Sequence, residues 1–515
     1  MHSSATRNAG AELILSVDAG LSCNRAILFD RAGNVVGESK SELSIEQPKH
    51  GWAEQNPEMI WNHTKENVKA VVNRKGVNRE DIVAVGITGH MHGTFLLNRS
   101  GTLARERAIV WIDTRAADIL RRFQKNGTSD TVFEISGWNV ITSMQLLHLR
   151  WLRENEPGVL ANTEYFLACK DYLRYRLTGQ ILSDVTDASF TGLFNNAKRE
   201  WSEEAFLLAG VDLSIAPPLK NPWEEGGSIT EDVSKETGLK TGIPVAVGSG
   251  DVASMALGAG VTEENQLLAN IGAAGVYERP AETPTYDRKR RTYQIALHAI
   301  PGKWLLQANQ MSAALSLRWF RDNILGGKMS YRDLDELAEE SNPGAGGVIF
   351  HPFLQGERSP FVNPNAKGLF FGLTLKTDLR DLIRAVLEGV AMACKDNLNS
   401  LTANGNGEEF EVTMGGGAAQ SDIWSRIVTD VTGYRVRIVR TNEVGALGAA
   451  ILATLCCGLY SDYKRAVADL VKIEKRFEPD PDISKRYDAI FNVYRNLYQA
   501  LPPFYTQPSE NERST

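Results

Sequence analysis

Leu13-Ile14-Leu15-Ser16-Val17-Asp18-Ala19-Gly20-Leu21-Ser22 is the stretch on which the fold turns: an apolar run from Leu13 to Val17 that ends in a carboxylate and then a glycine. Ala26 to Phe29 is a second apolar run, closed by the turn residues Asp30, Arg31, Ala32 and Gly33, so the two runs read as a hairpin with an acidic tip. Further along, Ile82 to Ile87 reads as a buried strand, followed by a loop from Thr88 to Gly93 and another strand from Thr94 to Leu97. A helical pattern from about Pro57 to Val72 intervenes. Strands that alternate with helices imply an α/β fold with parallel pairing.

The theme returns in the second half. A strand from Val245 to Gly248 leads through Ser249 and Gly250 to Asp251, and the small residues Ala253 to Gly260 suit a helix packed tightly on a sheet. Gln266 to Ile271 then runs into Gly272, Ala273, Ala274 and Gly275, with paired strands expected in Thr292 to Ile300 and Trp304 to Gln307. A boundary near Gly260 and two related halves are expected, 11–259 and 260–460, with 461–506 as a helical segment packed on both. Thr377 is the expected cap of a helix whose apolar residues Leu379, Leu382, Ile383, Val386, Leu387 and Val390 share one face. Val412 to Met414, the turn Gly415 to Gly417 and a helix from Asp422 to Val431 form the strand, glycine turn and helix that let backbone amides approach a nucleotide.

A chain of 515 residues exceeds one ordinary core. Hydrophobic residues at 43%, charged residues at 23% and a net charge of −7 exclude a disordered chain and argue against nucleic acid as the partner. Five cysteines, Cys23, Cys169, Cys394, Cys456 and Cys457, show no metal spacing, which fits a reducing cytoplasm. Residues 1–10 lack the apolar core of a signal peptide, no later run is long enough to span a bilayer, and both ends, 1–10 and 507–515, are expected to be mobile.

Six stretches carry candidate chemistry. In the first hairpin, Gly20, Leu21 and Ser22 offer backbone N–H groups to phosphate while Asp18 faces a hydrated Mg2+; Arg25, on the next strand, is grouped with them, and an acidic turn is the alternative. Gly272 and Ala273 occupy the matching place in the second half, where simple packing is the alternative. Gly415, Gly416, Gly417 and Gln420 form a plausible adenosine contact, and their spacing does not match a dinucleotide fingerprint. Asp251, at the end of a buried strand, reads either as a general base for a sugar hydroxyl, and a second carboxylate for the metal, or as a helix cap. His90, Met91, His92 and Gly93 suit a polar sugar contact better than a metal, since no third ligand is nearby. Trp111 and Asp113 offer a stacking face and a hydroxyl partner, with Arg115 read as an ordinary surface partner of Asp113.

Taken together these motifs resemble the FGGY carbohydrate kinase family. Gly368-Leu369-Phe370-Phe371-Gly372-Leu373, with Asp381, Leu382, Ala385, Val386, Leu387 and Glu388, is similar to that family's second signature in residue type and spacing. Gly51 to Asn56, Lys170 to Gly179, Asp184 to Ser189 and Pro352 to Gly372 resemble its xylulokinase branch, as does the loop at Met91, His92 and Gly93. The resemblance implies two actin-like, ribonuclease-H-like ATPase domains with a catalytic cleft between them, 11–259 on the sugar-binding side and 260–460 on the nucleotide side, and ATP and Mg2+ as cofactors. It implies Asp251 as base, Asp18 as organiser of metal and phosphate, and Gly415 to Gly417 on the adenine side. A pentulose, most plausibly xylulose, is the implied acceptor; L-xylulose, ribulose, gluconate and glycerol are the related alternatives, and a homodimer the implied assembly. The chain departs from the family where Leu21, Ala273 and Ala274 replace phosphate-loop hydroxyl residues and His148 replaces a lysine before Leu149, Arg150 and Trp151. Those departures keep a sugar-binding regulatory pseudokinase in view, and an actin-like assembling ATPase is the third class.

Overall fold

A computed structural model describes residues 12–403 and 409–505. The two ends expected to be mobile lie outside the described residues. Two large mixed sheets carry the molecule, and we count strands over these two sheets alone. The first holds Leu13–Ala19 (β1), Cys23–Asp30 (β2), Val35–Glu42 (β3), Ile82–Gly89 (β4), Glu225–Ser228 (β5), Pro244–Ala246 (β6) and Ser249–Gly250 (β7). Its order is β5-β6-β4-β1-β2-β3, with β7 also paired to β4. The second holds Gln266–Ile271 (β8), Gly275–Ala281 (β9), Gln294–Leu297 (β10), Trp304–Gln310 (β11), Glu411–Gly415 (β12), Arg435–Val439 (β13) and Ile473–Phe477 (β14), in the order β10-β11-β9-β8-β12-β13-β14.

The duplication is visible in this topology. In each sheet a hairpin, β1-β2 or β8-β9, adds a third antiparallel strand on one side and a parallel strand, β4 or β12, on the other. The expected hairpins, the α/β class and the two actin-like lobes are therefore present. Local signals fix several elements: the helix Pro57–Val72 (α1) starts on an Asn56 side chain that accepts from the N–H groups of Glu58 and Met59, with Pro57 in its first turn, and it buries Ile60, Trp61, Val68, Val71 and Val72. The shorter helices Cys169–Thr178 (α2) and Val185–Ala188 (α3) follow it in the first half.

Four expectations are corrected. The helix Asp251–Gly258 (α4) packs across another helix rather than flat on a sheet. The long helix Leu379–Thr402 (α5) is capped by Asp378, which forms a reciprocal capping box with Asp381, while the Thr377 hydroxyl accepts the N–H of Thr374 in the preceding turn. Beyond the helix Asp422–Thr432 (α6), the helix Val444–Cys456 (α7) falls in the half assigned to the nucleotide lobe, yet Ala446, Leu447, Ala450 and Ile451 join the core of Ile14, Ile27 and Ala84 on the first sheet. The Ser16 hydroxyl donates to the Ala446 carbonyl at 2.8 Å from within β1. Finally, 461–506 is not wholly helical: between Tyr463–Leu470 (α8) and Pro481–Ala500 (α9), β14 closes the second sheet antiparallel to β13.

Where α4 crosses α7 the backbones touch. A Cβ on Gly258 would stand 1.8 Å from the Val444 carbonyl oxygen, one on Gly448 would stand 2.0 Å from that of Ser254, and one on Gly86 of β4 would stand 2.0 Å from that of Ala449. Gly258→Ala must push apart a pair of helices that belong to different halves of the chain, at a cost of about 1–3 kcal/mol. We expect a lower urea midpoint for Gly258→Ala and an unchanged or slightly higher one for Gly158→Ala, whose added methyl meets nothing within 4 Å.

Candidate active site

The carboxyl ends of β1, β4 and β7 lie side by side. Asp18 pairs in register with Thr88 and Ala19 with Gly89, while on the far side of β4 Ser249 pairs with Thr88 and Gly250 with Gly89. Asp18 and Asp251 thus flank one strand, their backbones about 10 Å apart at two interstrand spacings. Open α/β sheets bind their ligands at such ends.

Both carboxyls are held above the usual range. Burial raises Asp251 to about 7, with the nearby Asp18 adding to the effect. Burial raises Asp18 to about 6, opposed by Arg25, whose guanidinium lies 3.9 Å from Asp18 and 3.1 Å from Glu443. Two hard-oxygen donors with Arg25 as the nearby cation suit a hydrated divalent ion such as Mg2+, which takes few protein ligands and keeps its waters. Asp251 is the first residue of α4, and its Oδ1 accepts the N–H of Val252 at 2.9 Å; Gly250 takes the cap position with no side chain to cap with. The helix-cap alternative for Asp251 is therefore corrected: the cap position belongs to Gly250.

The loop at Met91 to Gly93 adjoins the residue before Asp251: a Cβ on Gly250 would meet the Met91 sulfur at 2.6 Å. His92 sits in the left-handed region at φ 63°, wedged edge-on between Trp138 and Phe190. Burial, then His148 and Arg358, pushes its pKa down to about 3, so it presents a neutral imidazole. His148 is itself buried, bonded to the Thr94 hydroxyl at 2.8 Å, which gives this departure a packing role.

Trp111 is 41% exposed, but Asp113 is not available to a sugar. It is fully buried, accepting the Ala53 N–H at 2.6 Å and the Arg115 guanidinium at 2.8 and 3.0 Å, and Arg115 also reaches Glu54 at 2.7 Å. The hydroxyl partner expected at Asp113 is thus consumed in a buried network, and the pair expected at the surface is an internal one.

The two glycine hairpins are braced from behind. Gln55 donates to the Leu21 carbonyl at 2.7 Å, and the Ser22 carbonyl accepts from Leu43 at 2.9 Å. In the second half, the N–H groups of Ala313 and Ala314 bond the carbonyls of Ala273 and Gly272 at 2.9 and 2.8 Å, leaving Ala273 and Ala274 exposed. Gly416, at φ 77°, has no room for a side chain: a Cβ would stand 2.6 Å from the Ile271 carbonyl and 2.8 Å from the Gly272 nitrogen. The glycine turn Gly415 to Gly417 therefore lies against the second hairpin, with Gln420 exposed just beyond.

Sequence reading did not foresee the support behind Asp251. Lys170 of α2 is fully buried, with its Nζ 2.6 Å from Asp171, 2.6 Å from Asp184 and 3.1 Å from Asp187. Burial opposes that charge, but the three carboxyls hold Lys170 above its ordinary pKa. Although the three carboxyls have the spacing of a metal site, the ammonium already fills it. Arg174 donates to the Val247 carbonyl at 3.0 Å, and the Thr186 hydroxyl accepts the Gly250 N–H at 3.0 Å. The cluster grips both ends of the segment that delivers Asp251. Both stretches, 170–179 and 184–189, were marked in the sequence by their family resemblance and their charged residues, but nothing local pairs Lys170 with Asp184 and Asp187.

Comparison with known proteins bears on the activity. The N-terminal domain of the FGGY family of carbohydrate kinases matches residues 13–258, and its C-terminal domain matches residues 280–457. Xylulose kinase of Escherichia coli (strain K12) is 32% identical over 95% of this chain and 99% of its own. Gluconokinase of Bacillus subtilis (strain 168) is 25% identical over 97% of this chain and 98% of its own. The crystal structure of a "xyloylose kinase" from Brucella ovis superposes with a TM-score of 0.88 at 29% identity, covering 96% of this chain and all of that one.

Removing Lys170 leaves three buried carboxyls facing one another. Lys170→Met is expected to lower unfolding free energy by about 3–5 kcal/mol, read from urea titration; a variant within 1 kcal/mol of the parent, roughly the worth of a surface pair, contradicts the supporting role.

Proposed function

The chain belongs to the FGGY family of carbohydrate kinases, and from that premise we propose that it phosphorylates a pentulose, xylulose before its relatives, on a terminal hydroxyl. The observation that carries this reading is Asp251, delivered by β7 between the Asp18 carboxylate and the Met91 loop. The sugar hydroxyl oxygen attacks the γ-phosphorus of ATP in line, the bond from that phosphorus to the β–γ bridging oxygen breaks, and ADP leaves. The proton of the attacking hydroxyl passes to a carboxylate oxygen of Asp251, whose pKa near neutrality suits a group that must both take and release it. Asp18 and Asp251 would hold Mg2+ through water, and that ion would neutralise phosphate charge.

The remaining roles are positional. Gly20 to Ser22 and Gly272 to Ala273 offer backbone N–H groups to the phosphates from the two lobes, Arg25 adds a cation, and Gly415 to Gly417 with Gln420 take the adenosine side. Met91, His92, Gly93 and Trp111 contact the sugar. Closure of the lobes keeps out water, the competing acceptor. The preference for xylulose rests on the E. coli relative and on the stretches at 51–56, 170–179, 184–189 and 352–372; the gluconokinase relative is the reason that the acceptor is named as a proposal. Five free thiols support a reducing cytoplasm, and a homodimer is proposed on family grounds alone.

A second reading, a regulatory sugar-binding protein, is favoured by one observation: Leu21, Ala273 and Ala274 stand where hydroxyls would face the phosphates. ADP release measured across D-xylulose, L-xylulose, D-ribulose, glycerol and D-gluconate separates the two. We expect sugar-dependent ADP with a pentulose, and a fall in kcat of about a hundred- to ten-thousand-fold in Asp251→Asn with ATP binding retained. ADP release that no acceptor stimulates, or a fully active Asp251→Asn, overturns the reading.

A further inference from the structure

Apolar residues on one face of the second sheet share cores with α4. Leu268 of β8 packs with Met255, while Ala296 of β10 and Leu305 of β11 share a core with Val252 and Ala256. On this face of β9, Val276 and Glu278 point the same way, since alternate residues of a strand share a side. Glu278 stands opposite Gln307 of β11, Gln307 opposite Gln294 of β10, and Val276 opposite Asn309. A row of polar side chains thus runs across the sheet beside Asp251.

Half of this row is unsatisfied. Glu278 is fully buried, and neither of its carboxyl oxygens has a hydrogen-bond partner; Oε1 of Gln307 lacks one too. Asn309 and Gln294 bond each other at 3.2 Å. A buried carboxyl with no partner is strongly unfavourable, and native structures keep such groups where something else is to be bound. Burial and then Asp251 push Glu278 well above the ordinary carboxyl range, so its one charged neighbour repels its ionised form. Arg358 acts on His92 and on its own neighbour Glu357.

We propose that Glu278, with Gln307 beside it, forms the far wall of the acceptor pocket and binds hydroxyl groups of a neutral polyhydroxy substrate at the end remote from the oxygen that is phosphorylated. The inference rests on Asp251 being the base, which puts the reacting oxygen at the start of α4. A hydroxyl is donor and acceptor at once, and a carboxyl beside an amide oxygen offers acceptors to an adjacent hydroxyl pair. An aldonate would bring a further anion up to Glu278 and Asp251, leaving three acidic groups to share one enclosed space. A site of this kind discriminates by leaving its own buried groups unpaired when the wrong ligand enters.

The test uses the full chain and three proteins: parent, Glu278→Gln, which keeps the shape, and Glu278→Leu, which removes every polar atom. D-xylulose, D-ribulose and D-gluconate serve as probes. Binding is read by calorimetry and turnover by ADP release, so a chain that binds sugars without phosphorylating them refutes the kinase reading while still judging Glu278. We expect the parent to bind a ketose and leave gluconate near background. Glu278→Gln should raise the gluconate-to-ketose ratio of kcat/KM, or of binding constants, about tenfold or more, with KM for ATP unchanged. Glu278→Leu should melt at a higher temperature than the parent, having lost an unpaired buried group, while binding the ketose about tenfold more weakly or worse. A residue with a purely structural role would give neither the altered ratio nor this combination of greater stability and poorer binding. Ketose affinity unchanged in both variants, gluconate preferred by the parent, or failure of both variants to fold each overturns the proposal.

Discussion

The contact between α4 and α7 leaves no space for a side chain, and the rest of the molecule is arranged around it. Gly258 lies against the backbone of Val444, and Gly448 against that of Ser254, so two helices from different halves of the chain meet backbone to backbone. That contact sets where the active carboxyls sit. Asp251 begins α4, and at the start of α7 a Cβ on Gly445 would come within 3.8 Å of the Asp18 carboxyl, beside the Glu443 to Arg25 ion pair. A wider crossing would shift one carboxyl relative to the other. Small residues in these helices therefore serve geometry at the cleft as much as packing in the core.

Two groups of buried charge have opposite characters. Around Lys170 every carboxyl has a cation within 3.1 Å, and the hydrogen bonds run on into the backbone at Val247 and Gly250. That network is rigid support, since breaking any member strands the others. Asp18, Asp251 and Glu278 are also raised by burial, but the one cation acting on them among the described residues is Arg25, 3.9 Å from Asp18. Such an arrangement weakens the empty protein and is relieved by cationic or hydroxylic ligands. The Lys170 cluster directly behind Asp251 holds the strand end that carries it in place.

Much of this was legible locally. The hairpins that end at Asp18 and Ile271 follow from apolar runs bounded by Asp and Gly, and α1 from its Asn-Pro start, because strand length, turn chemistry and capping are encoded within a few residues. What escaped depends on contacts far apart in sequence. Nothing around Val444 says that α7 returns to the first sheet, since an apolar helix rich in Ala and Gly suits either lobe. Asp113 gave the same trouble: its partner Arg115 is two residues away, but the Ala53 N–H and Glu54 that complete its burial come from about sixty residues upstream. Glu278 lies in β9, where no site residue was expected, and only the register against Gln307 shows it as one of a polar row.

Leu21, Ala273 and Ala274 weigh less against catalysis than their side chains suggest. Phosphate held by a glycine hairpin is held chiefly by backbone N–H groups, whose direction depends on the loop conformation and not on a hydroxyl. That conformation is fixed here from outside the loops: Gln55 and Leu43 bond the backbone of Leu21 and Ser22, Ala313 and Ala314 bond that of Gly272 and Ala273, and Gly416 packs behind the second hairpin. A loop braced in this way loses little entropy when phosphate binds. In the proposed reaction, loss of a hydroxyl removes one hydrogen bond to the transferring group, whereas loss of Asp251 removes the proposed acceptor of the sugar's proton. Capacity for phosphoryl transfer thus resides in strand ends and loop backbones that this chain retains, and the altered side chains bear on its rate.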